Sequence, residues 1–155
     1  YIRYSECVDL EHIRQEVDRM RREKLISQEQ AEMVDCEKLL TFFLSPFGMQ
    51  LKNSANVLRE FKFSILKDAE KFYPDAEGEQ IFFQGVVDCA IIEEDGIMVV
   101  DFKTDHVTDA SLQDVVEKYR AQVSAYAQAL SCIYQMPVKT AKLYFFHIDQ
   151  FVDII

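Results

Sequence analysis

The sequence of 155 residues has few of the residue types that build metal clusters or tight loops: no tryptophan, four glycines, three prolines, three histidines and four cysteines. The cysteines, Cys7, Cys36, Cys89 and Cys132, are scattered and form no Cys-x-x-Cys pair. Zinc sites and iron-sulfur clusters are usually held by closely spaced cysteines, so we expect neither of them here. We expect four reduced cysteines with a structural role.

Long apolar segments are also missing. No apolar run approaches the roughly 18 residues of a transmembrane helix, and no charged-then-apolar signal segment opens the chain. We therefore expect an intracellular protein without membrane contact, although a fragment of a longer chain would not show its leader. No repeat and no glycine-rich phosphate loop occurs, so an ATPase activity would have to lie elsewhere.

Basic residues are scarce relative to acidic ones. The chain has 17 lysines and arginines against 27 aspartates and glutamates, for a net charge of -10. A protein that binds DNA by itself usually carries a basic surface, so we expect weak intrinsic DNA binding. Four cations could form a modest basic patch, and solvated surface charges are the alternative: Lys118, Arg120, Lys139 and Lys142.

What the sequence does contain is a strong hairpin signal. Residues 86–92 and 97–100 are apolar and rich in β-formers, and Asp95 and Gly96 lie between them. An Asp-Gly pair between two such stretches is typical of a tight β-turn. We predict two antiparallel strands here, preceded by a strand at 56–66 and followed by strands at 141–147 and 151–154, the last at a sheet edge.

Three polar side chains fall in this hairpin where a core strand would be apolar. Asp88 interrupts the first strand, and Asp101 and Lys103 close the second. Residues two apart share one face of a strand, so Asp101 and Lys103 point the same way and Phe102 points to the opposite layer. Strand pairing brings Asp88 to a similar height. An ordinary Asp-Lys ion pair is the alternative, but an unpaired buried carboxylate at Asp88 would be costly.

Two carboxylates beside a lysine are typical of a site for a hard cation and a phosphate. Magnesium prefers oxygen ligands at roughly 2.0–2.1 Å, takes one or two carboxylates and keeps positions for water and phosphate. The candidate ligands are Asp88, Asp101 and the main-chain carbonyl of Phe102, and manganese could replace magnesium. Lys103 would orient or deprotonate a water molecule, or offset the charge of the transition state.

A long helix is predicted over residues 111–134, which contain no glycine or proline. Tyr119, Gln122 and Tyr126 fall on one stripe of this helix. Gln122 and Tyr126 could hold a DNA phosphate or fix Lys103. Packing in the core is the alternative for tyrosines at this spacing.

These motifs, combined, resemble the RecB-type nucleases of the PD-(D/E)XK superfamily, and most closely the C-terminal nuclease domains of AddA-type helicase-nucleases. They are Gly85-x-x-Asp88, Asp101-Phe102-Lys103-Thr104 and Tyr119-x-x-Gln122-x-x-x-Tyr126. The resemblance implies an α/β, restriction-endonuclease-like core, in which helices flank a small mixed β-sheet. It implies a single domain over 1–155, with a helical part at 1–54 and the nuclease core at 55–155.

The resemblance also implies residue roles. The residues of the catalytic machinery would be Asp88, Asp101, Lys103 and Glu60, of which Glu60 lies on the preceding strand as a ligand or a supporting group. The residues that contact the substrate would be Gln122, Tyr126, Tyr119 and Thr104. Two histidines, His106 and His147, are expected to have no role in the site.

The family also has a metal-binding histidine in a Gly-x-x-x-His motif on an N-terminal helix, and this sequence has no such motif. His12 follows Asp-Leu-Glu instead. The chain opens at Tyr1 without a methionine, so we expect that the motif has been truncated. A fragment of this kind is expected to bind metal poorly.

The implied function is a metal-dependent DNA nuclease within an ATP-dependent helicase-nuclease for double-strand break repair and recombination. Its partners would be DNA, the helicase part of the same polypeptide and an AddB-like subunit, in the bacterial cytoplasm at the nucleoid. One alternative is a non-catalytic module with a nuclease fold that binds DNA or docks a subunit. Another is a free-standing nuclease, which the acidic charge disfavours.

The N-terminal part is predicted to be helical. A first amphipathic helix is predicted at 8–25, and a second at 28–44, where Ser27 and Gln30 form a capping box. Ser45 and Pro46 predict the start of a short third helix. Residues 67–80 are polar and contain Pro74 and Gly78, so a surface loop is expected there.

Overall fold

The computed structural model describes residues 1–68, 75 and 77–155. It divides into two compact units, Tyr1–Ala55 and Asn56–Ile155. The first unit is helical and the second contains a β-sheet and one long helix.

The first unit begins with helix α1 (Leu10–Arg22), which is shorter at both ends than the predicted 8–25. Asp9 fixes its start, because the Asp9 side chain accepts a hydrogen bond of 2.9 Å from the His12 backbone N–H. The last turn carries Arg19, Arg21 and Arg22, where cations interact favourably with the helix dipole.

The prediction of one helix over 28–44 is wrong. The segment forms two helices, α2 (Gln28–Met33) and α3 (Cys36–Leu44). The Ser27 capping box of α2 is confirmed, with both reciprocal hydrogen bonds formed. A second cap then interrupts the run, since the Asp35 side chain accepts hydrogen bonds of 3.1 Å from the backbone of Glu37 and Lys38.

The third predicted helix is confirmed as α4 (Pro46–Asn53), with Pro46 in its first turn. The Ser45 hydroxyl accepts a 3.1 Å hydrogen bond from the Gly48 backbone. Apolar side chains from three of these helices form the core of this unit: Ile13, Val17, Met20, Phe42, Phe43, Phe47 and Leu51.

The second unit is built on five described strands in the order β1-β2-β3-β4-β5. Their bounds are β1 (Val57–Asp68), β2 (Gln80–Glu93), β3 (Gly96–Lys103), β4 (Val138–Phe145) and β5 (Gln150–Asp153). Only β3 and β4 pair in parallel, and the other neighbours are antiparallel. A parallel pair needs a long crossover, which helix α5 (Leu112–Tyr134) supplies.

The predicted hairpin is confirmed, and its strands are longer than the apolar runs suggested. Gly96 lies at the turn with φ +151°, and a Cβ there would come within 2.6 Å of Lys139 and 2.8 Å of the Pro137 carbonyl. Glycine is therefore required at this turn. The predicted loop at 67–80 is too long at both ends, because β1 reaches Asp68 and β2 starts at Gln80. Residues 69–74 and 76 of that segment lie outside the described residues.

The core of the second unit lies between the sheet and α5. It contains fourteen buried side chains, among them Val87, Val99 and Phe145 from the strands and Val123 and Leu130 from the helix. A mixed five-stranded sheet packed against α5, in a chain that also has a helical N-terminal unit, confirms the predicted α/β, restriction-endonuclease-like fold. In the part of the chain that the structure describes, no helix is long and apolar enough to cross a membrane.

Candidate active site

The two central carboxylates lie side by side across the hairpin. Cys89 pairs with Val100, so the next step along both strands brings Asp88 opposite Asp101. The Phe102 backbone N–H donates a 2.9 Å hydrogen bond to Asp88 Oδ2, which fixes that carboxylate against β3. Asp101 is only 2% exposed. Burial raises the pKa of the Asp101 carboxyl, and the adjacent Asp88 raises it further, while Lys103 acts in the opposite direction.

Asp88 faces the same side of the sheet as Asp101 because the regular alternation of side chains along β2 is interrupted next to it. Val87 and Ala90 belong to the same buried cluster under α5, although residues three apart should lie on opposite faces of a regular strand. Leu58 and Phe61 on β1 both pack against that cluster as well. The reversal therefore occurs in both strands at the same height.

Glu60 lies at this reversal. Its neighbours Arg59 and Phe61 pair with Cys89 and Val87, so Glu60 is opposite Asp88. Its backbone is left-handed, with φ +50°. This conformation is uncommon for a residue with a side chain. The Glu60 side chain itself is exposed.

Lys103 is surrounded on three sides. Its Nζ lies 2.5 Å from Asp101 Oδ2 and 3.9 Å from the centroid of the Tyr119 ring. It also donates a 3.2 Å hydrogen bond to Gln122 Oε1. The predicted common direction of Asp101 and Lys103 is thus confirmed. Phe102 points to the other layer, where its ring packs 5.8 Å from that of Phe146.

Gln122 links Lys103 to Tyr126. Gln122 Nε2 donates a 2.6 Å hydrogen bond to the Tyr126 hydroxyl, so the three side chains form one chain of polar contacts. The Tyr126 ring also packs edge-on against Phe63, with centroids 5.9 Å apart. Both rings pack directly on the backbone of Gly85, where a Cβ would come within 2.8 Å of Phe63 and 3.0 Å of Tyr126. Close packing therefore explains the glycine of the Gly-x-x-Asp motif.

Tyr119 is held by a residue that sequence reasoning missed. Its hydroxyl donates to Asp105, at 3.1 Å from Oδ1 and 3.2 Å from Oδ2. Lys118 Nζ donates a 3.0 Å hydrogen bond to the same hydroxyl. Asp105 follows Lys103 by two residues but lies beyond the end of β3, so strand alternation does not predict where its side chain points.

Two predicted site residues lie at the margin of this cluster. Thr104 follows β3 directly and is exposed, as is Glu60. Among the described residues, the polar contacts of Lys103 are with Asp101, Gln122 and Tyr119 and do not include either of them. The roles assigned to Thr104 and Glu60 by resemblance stay predictions.

The four cations that could have formed a basic patch each pair with a carboxylate, which favours the alternative of solvated surface charges. The pairs are Lys118 with Asp105, Arg120 with Glu117, Lys139 with Glu93 and Asp95, and Lys142 with Asp153. The His106 and His147 rings pack against each other, with centroids 3.7 Å apart and the ring planes tilted by 53°. All four cysteines are free thiols.

The donor set fits a divalent cation that prefers oxygen ligands. Two carboxylates meet at one point, one of them buried, and magnesium commonly uses one or two carboxylates together with water and phosphate oxygens. Within the described ranges, no group of three or more histidine, cysteine, aspartate or glutamate side chains is arranged to hold a metal.

Known proteins match almost the whole of this chain. Proteins named as ATP-dependent helicase/nuclease subunits are 35% identical in Clostridium novyi, over 99% of this chain, and 37% identical in Bacillus mycoides, over 95%. One from Bacillus cereus is 40% identical over 93%. The chain spans only 12–13% of the length of these relatives. The profile of the PD-(D/E)XK nuclease superfamily matches residues 4–153, and the chain belongs to that superfamily.

Proposed function

We propose that this chain is the nuclease domain of an ATP-dependent helicase-nuclease and that it hydrolyses DNA phosphodiester bonds with magnesium or manganese. The observation that supports this most directly is the contact of Asp88, Asp101 and Lys103 at the end of one hairpin. Two carboxylates that lie against each other at a buried position are unfavourable by themselves. A divalent cation between them would relieve that repulsion.

Each residue of the cluster has a defined part in this proposal. Asp88 and Asp101 would hold the metal, with the Phe102 carbonyl as a further oxygen. The bound metal would polarise a phosphate oxygen and lower the pKa of a water molecule. Lys103 would orient that water or offset negative charge on the phosphate, while Gln122 and Tyr126 keep the ammonium in place.

Glu60 and Thr104 have weaker support. Glu60 lies opposite Asp88 on β1 and would act as a further ligand or as a group that supports the metal ligands. Thr104 is exposed beside Lys103 and would contact the DNA backbone. Both roles come from the family resemblance.

The context of the whole protein is also part of the proposal. The relatives are named as helicase/nuclease subunits, and this chain corresponds to about an eighth of their length. We infer that a helicase part of the same polypeptide delivers a DNA strand to the site, and that a second, AddB-like subunit completes the enzyme. Delivery would replace intrinsic affinity, which the paired surface cations do not supply. Such a protein would act in break repair and recombination at the bacterial nucleoid, in the cytoplasm.

The first test removes one carboxylate without changing its shape. Manganese is titrated calorimetrically into the chain and into Asp101→Asn, and cleavage of single-stranded DNA is followed with magnesium or manganese. We expect metal affinity to fall at least about tenfold, and cleavage to be lost, because one of the two charged ligands is gone. Asp109→Asn, an exposed carboxylate after the same hairpin, is the matched control and should behave like the parent chain.

The outcomes separate the metal site from catalysis. Metal-dependent cleavage by Asp101→Asn near the parental rate would contradict the assignment of Asp101. Binding that depends on Asp101 without any cleavage would support the metal site and point to the missing Gly-x-x-x-His motif, and repeating the test with the upstream helix restored would separate this from a non-catalytic module. Binding that is unaffected by Asp101→Asn would place the metal elsewhere.

A further inference from the structure

The Tyr119 side chain is fixed at both of its ends. The Lys103 ammonium lies 3.9 Å from the centroid of the ring, a distance at which cation–π attraction is effective. The hydroxyl donates to both oxygens of Asp105. Lys103 and Asp105 are two residues apart on one segment of the chain, so the tyrosine bridges them from the neighbouring helix.

This bridge closes one side of the Lys103 ammonium. The other two sides are occupied by Asp101 Oδ2, at 2.5 Å, and by Gln122 Oε1, at 3.2 Å. The Lys103 side chain is only 12% exposed. Lysine is long and flexible, and it keeps one position only if contacts on all sides offset its loss of rotamer freedom. Without the ring, the ammonium could turn away from Asp101 into solvent.

We propose that Asp105 and Tyr119 are positioning residues that together form a lysine clamp, a role that rests on the nuclease function proposed above. Asp105 holds the Tyr119 hydroxyl, and the Tyr119 ring holds the Lys103 ammonium beside Asp101. In this proposal the hydroxyl, which is engaged by Asp105 and Lys118, serves to position Lys103 in place of the substrate contact that the family resemblance suggested. The clamp acts on the chemical step and not on DNA or metal binding.

A double-mutant cycle tests this arrangement by kcat and KM on single-stranded DNA. Tyr119→Leu removes both contacts and should lower kcat about tenfold, with KM and manganese affinity changed less than about twofold. Tyr119→Phe and Asp105→Ala remove the same hydrogen bond, so each should lower kcat about threefold, and the double variant should also lose only about threefold.

The conservative variant and the control sharpen the test. Asp105→Asn keeps an oxygen that accepts from the Tyr119 hydroxyl and should restore most of the activity lost in Asp105→Ala. Asp109→Ala removes an exposed carboxylate of the same loop and should have no effect. If Asp105→Asn is as poor as Asp105→Ala and manganese affinity also falls, Asp105 binds metal and the clamp is wrong. If kcat of the double variant falls by the product of the factors measured for Tyr119→Phe and Asp105→Ala, the two residues act independently and the clamp is also wrong.

A second measurement does not need catalysis. Acetylation of Lys103 by a limiting amount of reagent is followed by peptide mass spectrometry, with exposed Lys62 as the internal reference. The held ammonium should react slowly in the parent chain and about fivefold faster in Tyr119→Leu, because the ring no longer restrains it. Unchanged labelling in Tyr119→Leu would contradict the clamp. If the chain does not cleave DNA at all, this result still decides whether the clamp exists.

Discussion

Individual thiols of this chain differ strongly in their surroundings. Cys89 is 2% exposed on β2, and burial raises the pKa of its thiol to about 12. Burial also raises the pKa of Cys7 to about 11, and the nearby Glu16 carboxylate adds to the effect. Cys132, near the end of α5, is exposed. Because the thiolate is the reactive form, these positions should differ in rate.

We predict that a thiol reagent modifies Cys132 rapidly in the folded chain and leaves Cys7 and Cys89 unmodified until the chain unfolds. Quantitative mass spectrometry of the alkylated peptides, in native buffer and in denaturant, measures this. Cys132→Ser should remove the fast phase and nothing else. Rapid modification of Cys89 in native buffer would contradict the buried position of that thiol.

Glu60 illustrates a residue whose backbone matters more than its side chain. An L-residue in the left-handed region is disfavoured relative to glycine, and β-branched residues are disfavoured most. The position is nevertheless glutamate, opposite Asp88, where the strand alternation reverses.

We predict that Glu60→Gly is neutral or raises the free energy of unfolding by up to about 1 kcal/mol, whereas Glu60→Val lowers it by about 1–2 kcal/mol. The exposed Lys62, on the same strand with regular pairing, is the matched site. There the order should invert, since glycine weakens a regular strand and valine suits it. Urea denaturation followed by circular dichroism gives both comparisons. The same order at both positions would show that the Glu60 backbone is not left-handed in solution.

A physical reason explains why some features of the site were predictable from the sequence and others were not. Alternation along one strand is a local property, so it correctly aligned Asp101 with Lys103 on β3, but it does not extend to Asp105 beyond the end of that strand. The left-handed backbone at Glu60 depends on pairing between two strands, and no residue type at that position signals it. The Lys103–Tyr119 contact depends on how α5 packs on the sheet, which spacing along the helix does not specify.

At the scale of the elements, helix α1 is tied to the start of the chain by one buried carboxylate. Glu16 is 6% exposed and accepts hydrogen bonds from Arg19 Nε, at 2.8 Å, and from the Arg3 backbone N–H, at 2.9 Å. The hydrogen bonds from Arg19 hold the pKa of Glu16 below its usual range, although burial acts in the opposite direction. A lowered pKa means that the folded chain favours the ionised form.

The stabilisation by Glu16 should therefore be present above the unfolded-state pKa of about 4.3 and disappear as the pH falls through the lower folded-state value. We predict that Glu16→Gln lowers the free energy of unfolding by about 2 kcal/mol near neutral pH and by much less near pH 3. Denaturant unfolding across this pH range measures the difference. Glu29→Gln, an exposed carboxylate on α2, should change stability by less than about 0.5 kcal/mol throughout. A Glu16→Gln deficit that persists unchanged at acid pH would contradict the ion pair.

The sequence predicted which segments form helices and strands better than it predicted where each of them begins and ends. Ser27 and Ser45 marked true helix starts because a cap is encoded by a few adjacent residues. Asp35 was missed as a cap, since it lies inside a run whose composition is compatible with a continuous helix. β2 extends well before its apolar stretch, because exposed residues such as Gln84 and Phe82 pair with β1. Pairing with a neighbour, and not apolar composition, sets the length of that strand.

For the whole molecule, the net charge of -10 predicts weak intrinsic DNA binding. The ion pairs of Arg120, Lys139 and Lys142 with neighbouring carboxylates are compatible with that prediction, which stays untested. Composition could not show that the described residues form two compact units, because that division depends on contacts between elements. The family match covers both units.

The polar cluster comes almost entirely from one continuous stretch of sequence, from Asp88 on β2 to Tyr126 on α5. The strands β4 and β5 contribute packing, and β1 contributes the backbone at Glu60. The groups of the proposed site therefore lie close together in the sequence as well as in space. An insertion before Asp88 or after Tyr126 would leave their spacing along the chain unchanged.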